Sequence, residues 1–494
     1  MNALGRAARP AASGSRWTMA ALIAGAATGA ALGAGSRFGL LLAASGGVVL
    51  AVTLPLPWIA IASVVASVTF RLAAPSAAGP VSDVPDAVLL IVLVRAGVDW
   101  MLDRASAAGP VVRRMAIPLG LFVGLAVAST IYNGDTMIGL VASLRQFVRF
   151  PLWAFALLVA GIGQRDGKRL VGVVLGLAVL QFPVAFFQYS STSGGGAGGV
   201  FYRGDPVSGT FGQGGSGVMM VFLVLATTTV VALVIERVLP VWVLFAAAPL
   251  LVLPMAWGSA ALFVLLLPMA IVALLLRSAV SRGTGLRPAV AAGGAILILL
   301  TGWAAGSIAH APGFAGSGGA SARELLSDSY LRRYVARTGA DQPGSRIGFL
   351  RFAAETDLAG GPGGVLLGQG PSASIIGHAA DNGTKVSLSR FARQSATSVW
   401  SVQRLLLGYG FIAVALLALV IALPSVVRAG SAPPGTGRAL AMVLPVAGFL
   451  MLMVGPYNSA WSDPGLASAY WALVVAAHAT MRPPSPTGDG EESA

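Results

Sequence analysis

Apolar runs follow one another along almost the whole chain, and one long polar interruption, residues 310–397, breaks the series. A helix needs about 20 apolar residues to cross a ~30 Å hydrocarbon core. Inside that core the backbone must satisfy its own hydrogen bonds, which a helix does within itself. The expected fold class is therefore all-α, a polytopic integral membrane protein. Composition points the same way, with 56% of the 494 residues hydrophobic and 10% charged, against about 25% charged in soluble domains.

On that ruler, spans lie near 18–35, 38–54, 57–74, 86–102, 115–132, 148–163 and 170–187. Further spans lie near 216–235, 240–256, 259–276, 288–308, 398–422, 438–456 and 465–480. The sum is about 14 transmembrane helices. Eleven fall in residues 1–308, with an external loop near 188–215, and three fall in residues 398–482. Residues 309–397 form a large external loop, and the Pro/Gly/Glu-rich tail 483–494 is expected to be disordered. The segment MIGLVASLRQFV, near 136–147, is too short to span and is expected to lie at the interface as an amphipathic helix. Arg6, Arg9 and Arg16 before the first run mimic a signal peptide, but the many spans that follow make it a retained anchor.

Most basic residues in short turns fall on one side when the N-terminus is placed inside, Arg113, Arg114, Arg165, Lys168 and Arg169 among them. The positive-inside rule then puts both termini in the cytoplasm and the 310–397 loop outside. The net charge of +14 is thus divided across the membrane, with no compact basic domain, and no nucleic acid is expected as a partner. The absence of cysteine excludes disulfides and thiolate chemistry, and the three histidines form no zinc signature. Of the 32 basic residues only Lys168 and Lys385 are lysine. That bias resembles high-GC bacterial usage and also suits bidentate contacts to phosphate.

Apart from Asp86 at the very start of its span, Asp99 is the one acidic residue within an expected span, four residues after Arg95 and placed to pair with it. So few buried acids argue against ion-driven transport. The expected outer face instead collects Arg145, Arg149, Arg203, Arg346 and Arg351. Such arginines suit a ligand with a lipid tail and a phosphate head; headgroup snorkelling is the simpler reading for Arg149.

Within the long loop, Leu325, Leu326, Tyr330, Leu331, Tyr334 and Val335 recur at helical spacing. Ser345 is placed to cap a second helix that begins at Arg346. On that helix Arg346, Leu350, Ala353 and Asp357 share a face, while Arg351 and Glu355 stand four apart and are placed to pair. Gly360 to Gly364, with Pro362, ends the helix. Glu355-Thr356-Asp357 is too short a signal for a metal site, and no metal is expected. Gly368-x-Gly370-x-x-Ala373 lacks the strand–helix setting of a dinucleotide fingerprint. His378 is either a solvated histidine or a general base.

Three fragments resemble a known family. Arg203 to Val218 (RGDPVSGTFGQGGSGV) is similar to the arginine, G-T-F-G and small-residue turn that precede a membrane helix in the O-antigen ligase and Wzy-type polymerase superfamily. Arg346 to Gly370 resembles its arginine-led external helix, closing in L-L-G-Q-G. Trp400 to Ile412 (WSVQRLLLGYGFI) is similar to its re-entry into the membrane. The order of the fragments and the late external loop match as well.

The resemblance implies transfer of a glycan from a polyprenyl-diphosphate carrier to an acceptor hydroxyl, on a glycan or lipid, at the outer face of the bacterial cytoplasmic membrane. It implies no cofactor, no metal and no nucleotide sugar. Arg203 and Arg346 would grip the diphosphate, with Arg145, Arg149 and Arg351 as further substrate-binding candidates. Glu355, Asp357 or His378 would take the acceptor's proton. One departure stands out. Family ligases carry a histidine just before the post-loop helix and often a glutamate before the glycine corresponding to Gly410. Here those places read Thr397-Ser398-Val399-Trp400 and Gly408. Ligase, polymerase or another glycan transfer all stay open. A lipid-linked glycan flippase or other transporter without chemistry is the alternative from another class, and a catalytically inactive scaffold is a third.

Overall fold

The computed structural model describes residues 54–73, 84–101, 110–193, 207–212, 215–258, 263–282, 346–374, 401–427, 429, 432, 434–456 and 459–481. Among them there is no strand, and the all-α expectation holds. The helices are α1 (Leu56–Ala73), α2 (Val84–Met101), α3 (Pro110–Asn133), α4 (Met137–Ala160), α5 (Gln164–Ser193), α6 (Ser216–Ile235), α7 (Val241–Trp257) and α8 (Phe263–Arg282). After the polar interruption come α9 (Arg346–Ala359), α10 (Gly361–Leu367), α11 (Ser401–Ser425), α12 (Thr436–Val454) and α13 (Pro464–Met481). Single 3-10 turns occur at Gly209–Phe211 and Pro371–Ser374.

Six described helices, α3, α4, α5, α6, α11 and α12, are long and apolar enough to cross a membrane. They make the chain a multi-pass membrane protein. The expected spans near 18–35 and 288–308, and all but the end of that near 38–54, lie outside the described residues. So do the loop helix expected between Ala320 and Thr338, and the tail 483–494.

At the centre stands α6, buried along nearly its whole length. It is apolar on every side, as a helix enclosed by other helices should be. Its only polar run, Thr227 to Thr229, turns each hydroxyl back onto a carbonyl of the preceding turn. Around it pack α5, α7, α8, α12 and α13. A second helix, α13, is almost as enclosed, and packs on α1, α4, α5 and α12. On one flank α3 lies along α11 and beside α4, and this flank carries α9 and α10.

Two sequence expectations are corrected. The segment near 136–147 is no separate interfacial helix; it is the first half of α4, which runs unbroken from Met137 to Ala160. Thr136 caps that helix by accepting from the Gly139 N–H, and Gly161 closes it in the left-handed conformation, φ 78°. Arg149 faces the interior, 8% exposed, about 18 Å along the helix from its start, while Arg145 is exposed. The stretch near 188–215, expected as an external loop, is in part helical and in part buried. The helix α5 continues to Ser193, and residues 207–212 fold back into the bundle.

Candidate functional site

The helix that spacing predicts from Arg346 is present, and its packing follows the predicted face. Ala353 is buried against Leu406, Leu407 and Ala373, with Leu350 packed alongside. Next on that face is Asp357, whose side chain is fully buried. The glycines beyond it do more than stop α9. Gly360 terminates it, with its N–H reaching Thr356 O and Asp357 O, and Pro362 then opens α10.

The exit of α10 meets α11 where α11 is broken. Gly410 has φ 78° and ψ −176°, a region that only glycine occupies readily. Opposite it stands Gly368, φ 67°. A Cβ on Gly368 would lie 2.5 Å from Tyr409 N, and one on Gly410 would lie 2.6 Å from Val365 O. The two backbones therefore touch through their glycines. Gln369 N–H donates to Leu407 O at 2.8 Å. Ser129 on α3 completes the junction, with its hydroxyl 2.6 Å from Leu367 O and 3.2 Å from Gly408 O. Asn133, one turn on, donates to Ser129 O at 2.9 Å and to Gly368 O at 3.4 Å. Gly370 and Gly363 press against Asp135 and Tyr132 at the end of α3.

The two carboxylates of Glu355-Thr356-Asp357 have opposite environments. Glu355 accepts from Arg351 Nε at 2.6 Å, and both side chains are about 60% exposed, so the predicted pair forms at the surface. Asp357 is buried, and neither carboxylate oxygen completes a hydrogen bond. Burial pushes its carboxyl up to about 7, with the Gln369 amide beside it holding the rise in check. A carboxyl with that poise can accept a proton at neutral pH.

A second polar cluster joins α4, the start of α11 and the turn before α13. Arg404 Nη1 donates to Gln146 Oε1 at 2.8 Å, while its Nε is sealed without a partner. Arg149 Nη2 donates to Ser462 O at 3.1 Å, and its guanidinium stacks over Phe150. The hydroxyls of Ser462 and Ser401 lie 3.2 Å apart, and Gln403 Nε2 donates to Pro456 O at 2.8 Å. Arg149 is thus held within the bundle by a backbone carbonyl.

The G-T-F-G fragment is held by two glutamines of α5. Gln188 Oε1 accepts from the Ser208 and Gly209 N–H groups at 2.9 and 2.8 Å, and its Nε2 donates to Gly209 O at 2.9 Å. Two turns earlier, Gln181 Oε1 accepts from Thr210 N–H at 2.8 Å and its Nε2 donates to Thr210 Oγ1 at 2.9 Å. Phe211 is buried, its ring tilted against that of Phe222 on α6.

Arg404 and Arg149 thus belong to the cluster between α4, the start of α11 and the turn before α13, while Asp357 lies on α9. Arg351 and Glu355 stay at the surface, and Arg145 is exposed on α4. Arg346 begins α9, but its side chain lies outside what is described, as do Arg203 and His378. Sequence reasoning missed Arg404, Gln146, Ser129 and the glutamine pair. Gln181 and Gln188, seven apart in an apolar helix, were the legible signal, since that spacing puts both on one face. Among the described residues no three His, Asp or Glu side chains gather to hold a metal. No protein-family model and no curated relative matches the chain.

Proposed function

We propose that the protein transfers a glycan from a polyprenyl-diphosphate carrier to an acceptor hydroxyl at the membrane surface. The observation that carries this reading is Asp357, a buried carboxyl lacking hydrogen bonds and raised to about 7, on the helix that docks against the broken segment of α11. Two of the fragments similar to the ligase and polymerase superfamily meet there, Gly368 against Gly410.

In this reaction the acceptor oxygen attacks the anomeric carbon and the bond from that carbon to the diphosphate breaks. The acceptor proton passes to Asp357, and the polyprenyl diphosphate leaves with its electron pair. Arginines around α11, with Arg203 and Arg346 as the resemblance implies, neutralise the charge that develops on it. Acceptor entry between α9 and α11 uncovers the carboxyl. Glu355, held in a solvated ion pair, has no comparable poise. Purified protein given lipid-linked glycan and acceptor in detergent should form a glycosidic product. Asp357→Asn should lower that rate about 100-fold or more, and Glu355→Gln should leave it near wild type. Full activity in Asp357→Asn would remove the base from this mechanism. No product from wild type, with lipid movement across vesicles, would favour the transporter reading.

A further inference from the structure

We propose that Arg404, anchored by Gln146 between α4 and α11, is a binding site for the phosphate group of a membrane-borne lipid. Its guanidinium has five N–H donors. Among the described residues one donor is used, on the neutral amide oxygen of Gln146, and Nε is sealed with no acceptor. No described carboxylate pairs with it. A guanidinium held this way inside a membrane protein is costly unless an anion arrives. Phosphate is the anion that its planar fork fits best.

The surroundings are arranged for such a guest. Gln146 and Arg149 stand one turn apart on α4, and Ser401 and Arg404 one turn apart on α11. Ser462 links the two pairs, accepting from Arg149 through its carbonyl and facing Ser401 through its hydroxyl. Gln403 Oε1 is a further buried atom without a partner. The neighbouring acid, Asp463, directs Oδ1 at the Gly465 and Leu466 N–H groups, at 2.9 and 3.1 Å, where it caps α13. The turn Pro371–Ser374 packs on both α4 and α11, the two helices that carry the site. Identifying the phosphate with the glycan donor rests on the function proposed above; the site itself does not.

The test is binding without turnover. Native mass spectrometry of the full chain in detergent would compare farnesyl diphosphate, phosphatidylglycerol and phosphatidylcholine, for wild type, Arg404→Gln and Gln146→Leu. Wild type should retain farnesyl diphosphate, and Arg404→Gln should weaken that retention at least about tenfold, as expected for one charge-assisted hydrogen bond. Without ligand, Arg404→Gln should melt no lower than wild type, because an uncompensated charge has gone. Gln146→Leu should weaken binding in the same direction, and it decides the matter if Arg404→Gln does not fold. Retention of phosphatidylglycerol but not farnesyl diphosphate, lost with Arg404, would keep the phosphate site and discard the donor. Unchanged binding in the folded variants, or a lower melting point alone, would overturn the site. Because no transfer is measured, a failed glycan assay leaves this result standing, and the reverse holds too.

Discussion

At the clamp around residues 207–212, Gln181 and Gln188 meet donors and acceptors on the turn, and among the described residues there no sealed side-chain polar atom lacks a partner. At Asp357 on α9 both carboxylate oxygens are buried without one, and in the cluster between α4 and α11 so are Oε1 of Gln403 and Nε of Arg404. All lie within the same apolar frame, where a lone polar group costs about 1–3 kcal/mol. The clamp meets that cost internally and so serves to hold a turn. Asp357 and the cluster between α4 and α11 leave it unmet, which suits places where a substrate supplies the missing partners. Buried polarity alone does not separate structure from chemistry; its degree of satisfaction does.

The largest expected effect breaks the clamp. Gln188→Leu strands two N–H groups and a carbonyl, and should cost about 3 kcal/mol or more in stability. Thermal unfolding followed by size-exclusion would show a lower midpoint, and an unchanged midpoint would erase the contrast drawn above. Next, Gly410→Ala forces a side chain into a glycine-only conformation against Val365 O. It should cost about 2 kcal/mol and make 346–374 more sensitive to protease.

A subtler effect concerns Asp357. Its folded carboxyl titrates at about 7, above the usual 3.8, so between those values the folded chain binds the extra proton. Stability should therefore fall as pH rises from about 4 to about 7 and then level off. Asp357→Asn should flatten that slope, and a melting curve against pH reads it directly. The smallest effect is at the surface pair: Arg351→Ala should change stability by less than about 1 kcal/mol, since both partners are well exposed.

Much of this was legible from the chain. The start of α9 at Arg346, the Arg351–Glu355 pair and the shared face of Ala353 and Asp357 follow from helical spacing, a local rule. The interfacial reading of the first half of α4 failed because Arg149 finds Ser462, 313 residues away. Spacing says nothing of such partners. The same distance hid Ser129, whose acceptors Leu367 and Gly408 lie 238 and 279 residues on.

What the sequence determined by itself was the class: long apolar runs admit little but a helical membrane protein. What only the tertiary structure decided was which polar residues are satisfied and which are left wanting. Glu355 and Asp357 are two residues apart and chemically alike, yet one meets water and an arginine while the other is sealed from water. Burial against a distant helix, not residue type, separates a surface charge from a carboxyl poised near neutrality.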